Sequence, residues 1–325
     1  PTAAIGYSLG ESVALFALGA WRDRERMRQA MERSTLFTSD LCGRCDAARR
    51  AWGVDHVDWA TALFEKSPRE VEEALRGLDR AYLQIIHGPR ECVVGGDRLQ
   101  VESLGGRIVP TTTTMHCPVV QPVAREYREM HHHPVTPPAG VRFYSSGLGR
   151  AYDLTSDAVA DAILLQASRT VDFPAVIEAA YRDGVRTFIE VGPGSSCTRL
   201  IGKILEGRPH QALAALPAGP DGLVGIRRVS AALGLALPQP DAVVDNPVAA
   251  AAASALARSE GHAAYLRLHA SLMQSAARQA EVLARISGEA LPIPPGPTPA
   301  AAEAGAPPVA LTREQCLAFA VGRIG

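Results

Sequence analysis

Apolar positions along the chain change their period several times, and each change marks an element. Thr2 to Ile5 can finish a strand, and Glu11 to Leu18 reads as a buried helix closed by Gly19. A second helix is predicted from Arg22 toward Phe37, with an arginine-rich solvated face. Val54 to Phe64 then suits a strand, and Ser67-Pro68-Arg69-Glu70 opens a helix running to Leu78. Tyr82 to Ile86 with Cys92-Val93-Val94 predicts a hairpin, followed by a short helix near Leu99 to Leu104 and a strand at Arg107 to Thr111. Beyond these, Val141 to Ser146 predicts a strand, Ser156 to Leu165 and Pro174 to Asp183 helices, and Thr187 to Val191 a buried strand ending at Gly192-Pro193-Gly194. Asn246-Pro247 caps an alanine-rich helix lasting to about Ile286, and Pro292 to Pro308 reads as an extended spacer before a last helical segment.

The middle portion has the order βαββαβ, which predicts a ferredoxin-like subdomain over 53–116 set into a larger β/α domain formed by 1–52 and 117–235. A linker over 236–309 and the start of a following domain over 310–325 complete the expected organisation. Only a few residues precede the first turn, and a parallel sheet needs several strands to bury the helix after it. The pattern therefore predicts a segment upstream of Pro1.

The 325 residues, 47% hydrophobic and 21% charged, suffice for one sizeable core plus an appendage. A net charge of −1 supplies no general attraction to nucleic acid or anionic membranes. The longest apolar stretches fall short of the roughly 20 residues that span a bilayer. Six scattered cysteines suit a reduced, cytoplasmic setting better than a disulfide framework. Cys42 and Cys45 form the one close pair; zinc would need two further ligands, so buried or surface thiols are expected. His131-His132-His133 runs into Pro134 and a turn-rich stretch, which predicts a solvated loop.

Candidate chemistry begins at Gly6-Tyr7-Ser8-Leu9-Gly10. This G-x-S-x-G spacing, between a strand and a helix, lifts a serine hydroxyl above a sheet for nucleophilic attack, and the backbone N–H of Leu9 is then placed at a developing oxyanion. Such a serine needs a general base, and a base histidine needs a partner on its other ring nitrogen. From its place before Pro174, Asp172 reads as the N-cap of the helix that this proline enters.

Gly-Tyr-Ser8-Leu-Gly-Glu, Arg33, Met115-His116-Cys117 and Ile189-Glu190-Val191-Gly192-Pro193-Gly194, in this order, resemble the acyltransferase domains of fatty acid and polyketide synthases. The flanking stretches Val171-Asp172-Phe173-Pro174 and Ser-Ser-Cys197-Thr-Arg-Leu-Ile are similar to the acyltransferase of bacterial polyunsaturated fatty acid synthases, and the tail around Cys316 resembles the start of a dehydratase region. The likeness runs from Pro1 to about Leu235, plus that tail. It implies a three-layer α/β hydrolase-like domain with the ferredoxin-like insertion. It implies Ser8 as nucleophile, His116 as general base, Asp172 as the candidate that orients the other ring nitrogen of His116 unless it only caps its helix, Leu9 in the oxyanion hole, a second oxyanion donor from a segment upstream, and Arg33 as the ligand of a malonyl carboxylate. Coenzyme A would be the substrate carrier, with no bound cofactor. An acyl carrier protein with its phosphopantetheine arm would be the partner, beside neighbouring ketosynthase and dehydratase domains. Two other readings stay open: a hydrolase or chain-releasing enzyme using the same serine, and a non-catalytic spacer within a synthase.

Overall fold

The computed structural model describes residues 1–109, 113–217 and 223–235. The chain enters through β1 (Ala3–Ile5) and turns at Ser8 into α1 (Gly10–Ala17). α2 (Arg24–Arg33) follows, capped by Asp23, whose carboxylate accepts from the Arg26 N–H at 2.8 Å. It stops at Arg33, short of the expected Phe37; Ser34 is extended, and Leu36–Asp40 forms a separate wide helical turn. α3 (Asp46–Trp52) leads to the insertion.

The insertion comprises β2 (Trp59–Phe64), α4 (Pro68–Ala74), β3 (Ala81–Gly88), β4 (Glu91–Asp97), α5 (Arg98–Ser103) and β5 (Arg107–Ile108). A capping box at α4, in which Ser67 and Glu70 satisfy each other's backbone donors, fixes its start. Strand order in the sheet is β5-β2-β4-β3 with antiparallel neighbours, the ferredoxin-like order, around a core of Ala62, Phe64, Val71, Leu83, Val94 and Val101. β2 begins at Trp59, later than the expected Val54.

The chain returns through a 3₁₀ turn at Pro118–Val123 into α6 (Ala124–His131), β6 (Arg142–Ser145), β7 (Arg150–Tyr152) and α7 (Ser156–Ser168). β8 (Val171–Asp172), α8 (Phe173–Arg182), β9 (Thr187–Pro193), α9 (Ser196–Ile204), β10 (Gln211–Leu216) and α10 (Leu223–Ala232) follow. β1 pairs in parallel with β6, and β9 with β10. Alternation across the strands separates two cores. Ala4 and Phe143 face one built with Leu15, Trp21, Tyr127, Val159 and Ile163, whereas Ala3, Ile5 and Tyr144 face another built with Phe173, Val176, Ile177, Leu200 and Ile201. Helices α1, α6 and α7 thus lie over one side and α8 and α9 over the other, the three-layer α/β arrangement.

Strand pairing and packing both join the insertion to the larger part. β8 adds to the insertion's sheet in parallel with β3, and Cys45, Ala48, Val57, Trp59, Cys117 and Val119 share a small core at the junction. These elements belong to a compact unit, Pro1–Leu233; of the second unit, Gly234–Gly325, only Gly234 and Leu235 are described. The expected linker over 236–309 and domain start over 310–325 lie outside the described residues.

Two further local expectations are corrected. β9 is not buried: Phe188 is covered, but Val191 is 81% exposed. The run His131-His132-His133 is no solvated loop, because α6 extends through His131 and both His131 and His133 pack against Trp21 in the core. Their ring nitrogens bond the carbonyls of Tyr127 and Met130, which offsets the cost of burying two polar rings.

Candidate active site

Ser8 sits at a sharp reversal with φ of 51°, in the left-handed region that a β-carbon disfavours. The turn closes with Gly10 N–H donating to the Tyr7 carbonyl at 2.9 Å and Glu11 N–H to the Ser8 carbonyl at 3.1 Å. Gly6 is required by close approach, since a β-carbon there would fall 2.0 Å from Glu11 Cα. The Leu9 N–H, just before α1, has no hydrogen-bond partner among the described residues and stands at the helix N-terminus where an oxyanion donor is needed.

His116 arrives from the far end of the insertion. Its own backbone is left-handed, with φ of 62°, and its N–H donates to the Ala167 carbonyl at the end of α7. The ring is buried, and its Nε2 lies 2.8 Å from Ser8 Oγ. Nδ1 lies 2.8 Å from the main-chain carbonyl of Gln166. A carbonyl can only accept, so Nδ1 carries the proton and Nε2 is left to accept from the serine hydroxyl. Burial pushes the imidazole pKa below its ordinary 6.5, which keeps the ring neutral and basic toward Ser8 at neutral pH.

Asp172 does not take the orienting position. Its carboxylate caps α8, accepting from the Ala175 N–H at 2.9 Å, and Gln166 supplies the partner of His116 instead. Arg33 ends α2 with an exposed side chain, and no hydrogen bond or ion pair engages its guanidinium among the described residues.

Two contributors were missed from sequence. The Gln166 side-chain amide donates to the Ser8 carbonyl at 3.0 Å and to Glu11 Oε2 at 2.8 Å. Both side chains are 2% exposed, and burial pushes the Glu11 carboxyl up to about 7. Each carried a visible signal, being a lone polar residue on an otherwise apolar stripe: Glu11 with Leu15 on α1, and Gln166 with Val159, Ala162 and Ile163 on α7. On the other side of the elbow, the Tyr7 hydroxyl is 2.6 Å from His87 Nε2 of β3, and His87 Nδ1 is 3.4 Å from Glu91. Glu91 is gripped bidentately by Arg199 of α9 at 2.8 Å and by Lys203 at 3.1 Å.

No family profile matches the chain. A polyunsaturated fatty acid synthase polypeptide of Thraustochytrium sp. is 26% identical over 221 residues, covering 60% of this chain and 11% of that protein. A mycocerosic acid synthase-like polyketide synthase of Mycobacterium tuberculosis is 28% identical over 243 residues, covering 70% and 10%. The match thus spans about a tenth of the length of these curated relatives. Among solved structures, the acyltransferase domain from the second module of the salinomycin polyketide synthase superposes with a TM-score of 0.57 at 19% identity, over 73% of this chain and 55% of that one. Malonyl-CoA:acyl carrier protein transacylase of Xanthomonas oryzae does so with 0.57 at 20% identity, over 71% and 72%. The fold is that of these acyltransferases, and the sequence relatives that the chain resembles are polyunsaturated fatty acid and polyketide synthases.

Proposed function

We propose that this chain moves an acyl group between thioester carriers through an ester on Ser8. The observation that carries the proposal is the 2.8 Å contact between Ser8 Oγ and an imidazole nitrogen whose tautomer the Gln166 carbonyl fixes. Ser8 Oγ attacks the thioester carbonyl as His116 takes its proton, and the Leu9 N–H receives the negative charge on oxygen. Collapse expels the coenzyme A thiolate, which takes the proton from His116. The phosphopantetheine thiol of an acyl carrier protein then gives its proton to His116 and attacks the ester, and Ser8 Oγ leaves by taking that proton back from His116, so both residues are restored. No resident cofactor enters this cycle.

The acyl group we assign is malonyl, with Arg33 as its carboxylate ligand, since guanidinium offers two parallel donors to such a group. The named activity of the Xanthomonas neighbour and the unengaged state of Arg33 among the described residues support this choice. The setting we assign is a multidomain polyunsaturated fatty acid or polyketide synthase, with the carrier protein, ketosynthase and dehydratase as neighbours in one cytoplasmic assembly; the Thraustochytrium and Mycobacterium relatives support it. No helix among the described residues is long and apolar enough to cross a membrane.

Intact-protein mass after brief exposure to malonyl-CoA tests the proposal. The expected result is a malonyl adduct on the 325-residue chain, absent in Ser8→Ala and moved to added acyl carrier protein. Arg33→Ala is expected to lower malonyl loading about 10²-fold while sparing neutral acyl groups, the order of a lost charged donor in a site. An adduct lost only to water would replace transfer by hydrolytic release, and no adduct from any donor would leave the spacer reading.

A further inference from the structure

We propose that Glu11 is a positioning residue for the Ser8–His116 pair, acting through the side chain of Gln166. The inference rests on Ser8 being the nucleophile, as above. Gln166 touches the pair twice: its main-chain carbonyl fixes His116 Nδ1 at 2.8 Å, and its side-chain amide holds the Ser8 carbonyl at 3.0 Å. Each amide hydrogen has a single acceptor. One goes to Ser8, and the other goes to Glu11 Oε2 at 2.8 Å, so the carboxylate sets the plane of the amide and with it the bond to the strained Ser8 backbone.

The surroundings of Glu11 make its protonation state consequential. Oε2 also receives the Ser146 N–H at 3.4 Å, and the Ser146 hydroxyl in turn donates to the Gly6 carbonyl at 2.5 Å, on the opposite flank of the elbow. Oε1 is fully buried with no hydrogen-bond partner among the described residues. The other titratable groups facing the carboxyl are the hydroxyls of Tyr127 on α6 and Tyr152 on β7. Both are held neutral by burial and by the Glu11 charge. No cation among the described residues offsets the carboxylate, which is why burial governs its pKa and places the change near 7. As a carboxylate, Oε2 accepts from both donors. Protonation weakens that acceptor and releases the Gln166 amide, and the nucleophile and base lose a shared brace.

The rate of Ser8 modification by a fluorophosphonate, read by intact mass from about pH 5 to 9 on the full chain, tests this without any acyl donor. Wild type is expected to show two rising limbs, one below 6.5 from His116 and one near 7 from Glu11. Glu11→Gln keeps the shape but cannot ionise, so the limb near 7 disappears while the lower one stays. Glu11→Ala is expected to lose about 10²-fold at about pH 8, the order that misplacement of reacting groups costs. Glu11→Asp, a carboxylate set too short, should keep a pH-dependent limb at reduced rate. Should Glu11→Ala fail to fold, Glu11→Gln decides the matter. An unchanged two-limbed profile in Glu11→Gln would overturn the positioning role while leaving Ser8 as nucleophile. A wild-type chain that never labels at Ser8 would overturn the proposed function, and the positioning role with it.

Discussion

Gly6 and Gly10 bracket the same serine but meet different demands. A β-carbon at residue 6 would lie 2.2 Å from the Glu11 backbone nitrogen, whereas one at residue 10 meets nothing within 4 Å. Gly6→Ala is therefore expected to cost about 3 kcal/mol or more, since main chain must shift, and Gly10→Ala to stay within about 1 kcal/mol, helped by helix propensity at the start of α1. Urea unfolding of the two variants checks this; coincident midpoints would show that the elbow is held by something other than that close approach. The G-x-S-x-G spacing announced the turn but gave both glycines equal weight, because the clash is with a residue on the following helix. The same limit hid Gln166. Its role depends on the carbonyl of α7 meeting an imidazole carried by a distant insertion, and no local pattern encodes that meeting. Asp172 was an orienting candidate by its place in the family resemblance, yet its position before Pro174 suited a helix cap, which is where its oxygen went.

The insertion reads clearly in the sequence as an order of elements, because two amphipathic helices and a hairpin each bury one stripe on a single small sheet. Its attachment does not. β8 is two residues long, too short for any period, and pairs with β3 only because α7 and α8 deliver it there. A further attachment is the ionic cluster in which Arg199 and Lys203 of α9 hold Glu91 at the hairpin, keeping its carboxyl down at about 2. Glu91 is mostly buried while its partners are about half exposed, so the cluster contributes more than a surface pair but less than a sealed one. Removing the acceptor in Glu91→Ala should cost about 1–3 kcal/mol, the range for bonds to charged groups. It should also speed hydrogen exchange in β3 and β4 near residues 86–92, while the end of β2 away from the hairpin, where Trp59 pairs with Asp97, keeps its protection. Uniform acceleration across the whole sheet would mean that Glu91 supports the insertion's own core instead of docking its hairpin onto α9 and Tyr7.

The molecule as a whole carries two opposing responses to acid. His131 is pushed down to about 4 by burial, and His116, His87 and His133 are lowered for the same reason. For each of them the unfolded chain, near 6.5, binds a proton before the folded one does, so their contribution is intact above 6.5 and is lost as pH falls toward the folded pKa. Glu11 works in the other direction. Its folded carboxyl titrates near 7 and its unfolded one near 4.5, so between these values the folded state binds the proton first and gains stability as pH falls. At about 1.4 kcal/mol per pH unit, Glu11 offsets roughly 2–3 kcal/mol of histidine-driven loss between about pH 7.5 and 5. Glu11→Gln removes the offset and leaves the histidines. Its unfolding free energy should therefore drop more steeply than that of wild type over this interval, by about 2–3 kcal/mol, in urea titrations at the two pH values. The comparison isolates one group, because every other titrating residue is common to both proteins and cancels in the difference. Parallel pH dependences would mean that the Glu11 carboxyl titrates alike in folded and unfolded chains, and that the polar nest around it, Gln166 and the Ser146 N–H, compensates its burial in full.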